Sequence, residues 1–280
     1  MAQIHWFPGH MSKALHEVEE KIKLVDVVIE LLDARAPLSS VNQHLEKLIQ
    51  NKKKLIILSK PDLADSAQIE KWLSYFNKNG NLVAALDLTN PNSTKEISKR
   101  VALLGKEKWE RQKAKGMKPQ PIKTMIIGIP NVGKSSLINR LARRAAAGVQ
   151  NKPGYTRGEQ WIKVNNDFIL LDTPGILPMN YENQKSAANL ALLGSIREDI
   201  LPKTDLVEML LEILKKKYPN SLKNRFDIDE ITTYKEVLTK ISQKRGIITN
   251  NGEIDFPRCE NLLLKEFKDG LLGRMSLEWL

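Results

Sequence analysis

Residues 128–136 read GIPNVGKSS, and no other stretch limits the possible folds as much. The spacing G-x-x-x-x-G-K-S works only with a strand before it, here KTMIIG, and a helix after it, here SSLINRLARR. In that setting Gly128 and Gly133 let successive backbone N–H groups turn inward around phosphate oxygens, Lys134 adds a point charge on the β and γ phosphates, and Ser135 can ligate Mg²⁺ at the helix N-terminus. A second piece follows in FILLDTPG, where Asp172 ends an apolar run as a metal-holding carboxylate does and Gly175 can offer its N–H to a γ phosphate. The chain must therefore hold a strand, a loop and a helix in that order, in a sheet whose carboxyl edge carries the ligand.

The rest of the pattern agrees. Apolar runs at 25–32, 54–58, 82–86 and 124–129 alternate with helical periodicity around 41–50, 66–77 and 94–109, which is the signature of βαβ units and a mainly parallel sheet. EQWIKVNNDFILLDTPG reads as two strands around an Asn-Asn-Asp turn, the second running into the sheet interior. Beyond residue 178 the strands stop. Segments 182–199, 205–218, 229–244 and 255–269 space Leu and Ile by three and four, with Pro202, Pro219 and Gly246 between them. The expectation is an α/β domain over 1–178 and a small all-helical domain over 179–280, with no internal repeat.

Charge divides the chain at the same place. Residues 1–178 hold 28 Lys and Arg against 17 Asp and Glu, whereas residues 179–280 hold 16 of each, so the whole net charge of +11 sits in the first part. Within it, stretch 100–123 carries eight basic and two acidic residues, Lys108, Arg111, Lys113 and Lys115 among them. Such a run is either a solvated helix face or a polyanion footprint, and the domain-wide excess favours nucleic acid. No apolar run approaches the roughly 20 residues that span a bilayer, and MAQIHWFPGHM has neither signal-peptide nor transit character. A cytoplasmic protein without membrane contact is expected. Cys259, alone, has no internal partner and suits a half-buried position in a reducing compartment.

Which base the phosphate loop would serve depends on SKPD at 59–62, where the apolar run LIIL gives way to a polar loop. One reading is an ordinary turn with Asp62 capping the next helix. The other follows from the parallel sheet: guanine presents N1–H and N2–H₂ as adjacent donors, and one ionised carboxylate, Asp62, accepts both, whereas adenine offers no matching pair. The stem of Lys60 can then cover the purine while its ammonium stays in solvent. The order is unusual, because this loop precedes the phosphate loop in the chain. A site at a sheet edge depends on which strands are neighbours and not on their order, and the chain after DTPG leads straight into the helices.

WFPGHM at 6–11, LLDARAPLSS at 31–40, SKPD at 59–62, GIPNVGKSS at 128–136, NKPGYT at 151–156 and DTPGI at 172–176, in this permuted order, resemble ribosome biogenesis GTPase A, the YlqF/RbgA type. KRG, GEIDFPRCENLL and GRMSLE extend the likeness to that family's helical tail, so it spans nearly the whole chain. The resemblance implies a circularly permuted P-loop GTPase domain that hydrolyses GTP to GDP and phosphate, binds the immature large ribosomal subunit through its RNA and proteins, and promotes a late assembly step, acting as a monomer. It implies Ser59, Lys60, Pro61 and Asp62 around the base, Asp87 and Leu88 behind it, and Asn131, Val132, Gly133, Lys134, Ser135 and Ser136 around the phosphates with Gly175. Thr156 would join Ser135 and Asp172 on Mg²⁺, and Asn131 resembles loops that place K⁺ beside the phosphates. Ile176 stands where many GTPases have a water-orienting glutamine, which implies slow hydrolysis until another group completes the site. His10 is the best polar candidate; the competing reading makes it part of an N-terminal turn with Trp6 and Phe7. Three departures are Ser59 in place of asparagine, a shorter group that is expected to weaken the tie between base and phosphate loops, ALDL at 85–88 and SSVNQ at 39–43. Two other readings stay open on the residues alone: a GTP-gated binding module with negligible turnover, and an ATPase with a decayed base pocket.

Overall fold

Strands buried on both faces have no polar side to alternate, so the continuous apolar runs become the middle of one sheet. The structure is a computed structural model and describes residues 9–146, 161–171, 184–196 and 201–280. Its strands are β1 (Val27–Asp33), β2 (Lys53–Ser59), β3 (Leu82–Leu86), β4 (Ile122–Gly128), β5 (Trp161–Lys163) and β6 (Phe168–Leu171). They lie in the order β3-β2-β1-β4-β6-β5. All pairs are parallel except the β5/β6 hairpin, which runs antiparallel as its Asn-Asn-Asp turn implied. β1 is buried along its whole length, while the edge strands β3 and β5 are half-buried.

Helices cover both faces. On one face Ile29 and Leu31 of β1, Leu55 and Ile57 of β2, Ile126 of β4 and Leu170 of β6 meet Ile97 and Val101 of α5 (Pro91–Ala114) and Leu137 and Leu141 of α6 (Lys134–Ala146). On the other, Val28, Met125, Ile127 and Leu171 meet Leu15 and Val18 of α1 (Gly9–Lys21) and Leu45 and Ile49 of α3 (Gln43–Ile49). Beside them Ile56, Leu58 and Val83 pack on Trp72 and Phe76 of α4 (Ser66–Lys78). A four-residue helix, α2 (Pro37–Ser40), follows β1. From β1 the chain moves outward to β2 and β3, then returns to place β4 on the far side of β1. The crevice between β1 and β4 is the switch point at which such sheets hold ligands.

After β6 come α7 (Gln184–Leu192), α8 (Lys203–Lys217), α9 (Ser221–Phe226), α10 (Tyr234–Arg245) and α11 (Phe256–Lys268). Three details differ from the periodicity. α7 ends early because Gly194 turns left-handed (φ +73°) and the chain closes a turn back onto Leu190 and Ala191. α9 is an additional short helix, stopped by Asp227 at φ +58°. GRMSLE is not helical: beyond Lys268 the chain is irregular and runs back along the sheet's carboxyl edge. The expected boundary at 178/179 lies outside the described residues. One apolar cluster joins Ala36, Ile129 and Val132 of the first part to Leu190, Leu210, Leu238, Leu263 and Leu277 of the second. Cys259 is fully buried within it, deeper than expected. Among the described residues no helix is long and apolar enough to cross a membrane.

Candidate nucleotide site

At the end of β4 the backbone leaves the sheet so close to β1 that a Cβ on Gly128 would lie 2.7 Å from the Leu31 carbonyl. Only glycine fits there. Asn131 at φ +59° and Gly133 at φ +108° then curl the loop, and α6 begins at Lys134. Alternating left-handed residues before a helix N-terminus direct backbone N–H groups at one concavity, a geometry suited to phosphate. Lys134 is buried, with its Nζ 3.3 Å from the carbonyl of Ile129 in its own loop. Ser135 and Ser136 are exposed in the first turn of α6, and Val132 is buried beneath it. Asn131 reaches away from the loop, its amide donating to the Gly194 carbonyl at 2.6 Å.

The SKPD loop is tied directly to this one. Buried Ser59 places its hydroxyl 2.8 Å from the Val132 carbonyl and 3.1 Å from that of Leu32, so its one proton serves either. The short serine therefore does join the base and phosphate loops, against the expectation of a weakened tie. Lys60 takes φ +53° and its ammonium lies 3.0 Å from the Asp33 carboxylate, which corrects the expectation that it stays in solvent. Pro61 is half-buried. Asp62 is exposed and has no side-chain hydrogen bond among the described residues. The cap of α4 is Asp65, which accepts from Ala67 and Gln68, so Asp62 sits in a turn over 61–63 but does not cap the next helix. Asp87 and Leu88 are turned elsewhere: the Asp87 carboxylate accepts from the Thr89 N–H and hydroxyl, and buried Leu88 packs behind Gly133.

Asp33, at the end of β1, sits at the centre of the edge. Arg35 donates to both its oxygens at 2.9 Å and Lys60 to one. Burial alone would raise the Asp33 carboxyl; the Arg35 guanidinium and Lys60 outweigh it and hold the group down at about 2. Arg35 also donates to the Lys268 carbonyl at the end of α11. Its own carbonyl accepts from Leu277, and Glu278 accepts from Leu38 and Ser39 at 2.7 and 2.9 Å. None of these roles was read from the sequence. The available signal was an acid and an arginine, two apart, at the end of a fully apolar strand.

Thr156, Asp172, Gly175 and Ile176 lie outside the described residues. Of His10 only the backbone, in the first turn of α1, is described. On α5, Lys108 is 2.6 Å from Asp26 and Arg111 is 3.7 Å from Glu107 on the same helix. Lys113 and Lys115 are exposed and have no acidic partner among the described residues.

The chain is similar to known proteins. The family described as 50S ribosome-binding GTPase matches residues 123–250. Ribosome biogenesis GTPase A of Bacillus cereus is 42% identical over 98% of this chain and 93% of its own. The protein of that name from Thermotoga maritima is 31% identical over 98% and 93%. Among solved structures, GNP-bound YlqF from T. maritima superposes with a TM-score of 0.68 at 28% identity, covering 95% of this chain and 98% of that one. A GDP-bound YlqF structure gives the same score at 27% identity. With the permuted sheet, the phosphate loop and these full-length likenesses together, the chain belongs to the ribosome biogenesis GTPase A family.

Proposed function

We propose that this chain binds the immature large ribosomal subunit, contacting its RNA and proteins, and hydrolyses GTP to GDP and phosphate to promote a late assembly step. The observation that carries the reading is an exposed Asp62, without a side-chain partner among the described residues, on a loop whose Ser59 is 2.8 Å from the Val132 carbonyl of the phosphate loop. A carboxylate with no partner among the described residues, on a loop bonded to a phosphate cradle through Ser59, can accept both N1–H and N2–H of guanine.

In this reading Lys134 leaves the Ile129 carbonyl for the β and γ phosphates. Of the residues expected on Mg²⁺, Ser135 lies among those described; with Thr156 and Asp172 it would hold the ion, which would neutralise phosphate charge. The Asn131 side-chain oxygen would hold K⁺ while its amide stays on the Gly194 carbonyl. Gly175 donates its N–H to the γ phosphate, and His10 orients the attacking water where Ile176 cannot. Residues 1–178 carry the nucleotide chemistry and 179–280 transmit its state. Lys113 and Lys115, with Arg111 behind them, meet ribosomal RNA, while Lys108 is engaged with Asp26. The chain acts as a monomer in the cytoplasm, where its particle is assembled.

The test is Asp62→Asn. Affinity for GTP is expected to fall and that for xanthosine triphosphate to rise, since the amide can donate to the xanthine oxygen that replaces the guanine amine. Large subunits are expected to stimulate GTP turnover by the wild type and xanthosine triphosphate turnover by the variant. Unchanged GTP binding in the variant would refute the base assignment.

A further inference from the structure

The loop that carries Asp62 is held from outside, by the last residues of the chain. Arg274 lies beyond α11 on the surface, yet its Nε donates to the Ala64 carbonyl at 2.9 Å and its guanidinium NH₂ to the Pro61 carbonyl at 3.0 Å. The next residue, Met275, donates its backbone N–H to the Leu63 carbonyl at 2.9 Å. Gly270, at φ +75°, lies so close that a Cβ there would come within 2.6 Å of Leu63 Cδ2. The three carbonyls taken by the tail surround Asp62: that of Pro61 belongs to the peptide bond entering it, and those of Leu63 and Ala64 follow it.

The loop's own bonds are few. Leu63 N–H reaches the Lys60 carbonyl at 3.1 Å and Ala64 N–H reaches Pro61 at 3.4 Å, the second at the long end of the hydrogen-bond range. Asp62 gains no fixed direction from its side chain, which has no partner among the described residues. Its aim is therefore set by backbone, and that backbone is pinned at three carbonyls by residues more than two hundred positions away. A forked acceptor contributes to affinity and selectivity to the extent that it is already held in the bound geometry.

We infer that Arg274, with the Met275 N–H, is the positioning residue that aims Asp62 at the two donors of guanine. This rests on the reading of Asp62 as the base-selecting carboxylate. Inosine nucleotides keep N1–H and lack the 2-amino group, so the preference for guanosine over inosine reports the second arm of the fork, which a loosened loop loses first. The tail thereby tunes nucleotide selectivity without touching nucleotide, and anything that moves the tail changes it.

Competition titration of GTP, GDP, inosine triphosphate and xanthosine triphosphate on the full chain, with steady-state GTP turnover measured alongside, tests this with Arg274→Ala, Arg274→Lys and Asp62→Asn. Arg274→Ala is expected to weaken GTP and GDP about tenfold and inosine triphosphate by much less, with the loss in KM and not in kcat. Arg274→Lys, which keeps a cation and at least one donor, is expected to recover part of the guanosine preference. If Asp62→Asn shifts preference to xanthosine while Arg274→Ala keeps the wild-type ratio of guanosine to inosine affinity, the base reading stands and the positioning role is wrong. An equal loss for all nucleotides with a lowered Tm reduces Arg274 to a structural strut and also overturns it. If Asp62→Asn leaves GTP preference intact, both fall.

Discussion

Glu30 and Asp33 lie three residues apart on β1, both buried, with opposite affinities for protons. Burial raises each carboxyl, and the neighbours decide the outcome. Asp33 has Arg35 donating to both of its oxygens, with Lys60 beside it, and is held at about 2. Glu30 has Lys54 3.2 Å away without hydrogen-bond geometry, and that lysine is shared with Glu46 at 2.7 Å, so burial, aided by the neighbouring Glu46 carboxylate, outweighs Lys54 and pushes Glu30 up to about 8. The folded state thus binds the Glu30 proton more tightly than the unfolded chain. Its contribution to stability is complete below the ordinary 4.5 and is lost as pH rises through about 8. In urea unfolding at increasing pH, the wild type is expected to weaken across that window and Glu30→Gln to stay flatter, with Lys54 still paired to Glu46. A variant as pH-sensitive as the wild type would show that Glu30 is ionised in the fold.

Helix α5 carries two kinds of lysine that charge alone does not separate. Lys108 reaches Asp26 at 2.6 Å, and Asp26 also accepts the Lys123 N–H, so this lysine fastens α5 to the start of β4. Lys113 and Lys115 project from the last turn. Lys108→Ala is expected to lower stability by about 1 kcal/mol with little change in the salt dependence of subunit binding. Replacing Lys113 and Lys115 together is expected to leave the Tm alone and to reduce the slope of log affinity against log salt by about one for each phosphate left without its lysine. A slope unmoved by the second pair would return the run to a solvated helix. The strands were legible because central parallel strands are apolar on both faces, and the phosphate and base loops because their spacings are local. Arg274, Glu278 and the Lys268 carbonyl were not, since each meets partners more than two hundred positions away and no spacing records such a meeting. α9 escaped notice because six residues carry too little periodicity.

At the scale of the molecule, each described loop at the carboxyl ends of β1, β2 and β4 is bonded to the helical part. The phosphate loop holds the turn after α7 through Asn131 and Gly194, the β1 loop holds the end of α11 through Arg35 and Lys268, and the base loop is held by Arg274. Asn189 of α7 further donates to the Ser39 hydroxyl in α2. A change of nucleotide state that moves these loops is expected to act on α7, α11 and the tail, and by linkage a partner that grips those helices is then expected to act equally on nucleotide affinity. The decisive measurement is a thermodynamic cycle with purified immature large subunits, comparing the affinity of the full chain carrying GDP with that of the chain carrying a non-hydrolysable GTP analogue. The GTP-analogue form is expected to bind the particle more tightly, and the particle to raise affinity for the analogue over GDP by the same factor. Equal binding of the two forms, with no effect of the particle on nucleotide preference, would contradict the proposed GTP-dependent action on the ribosome.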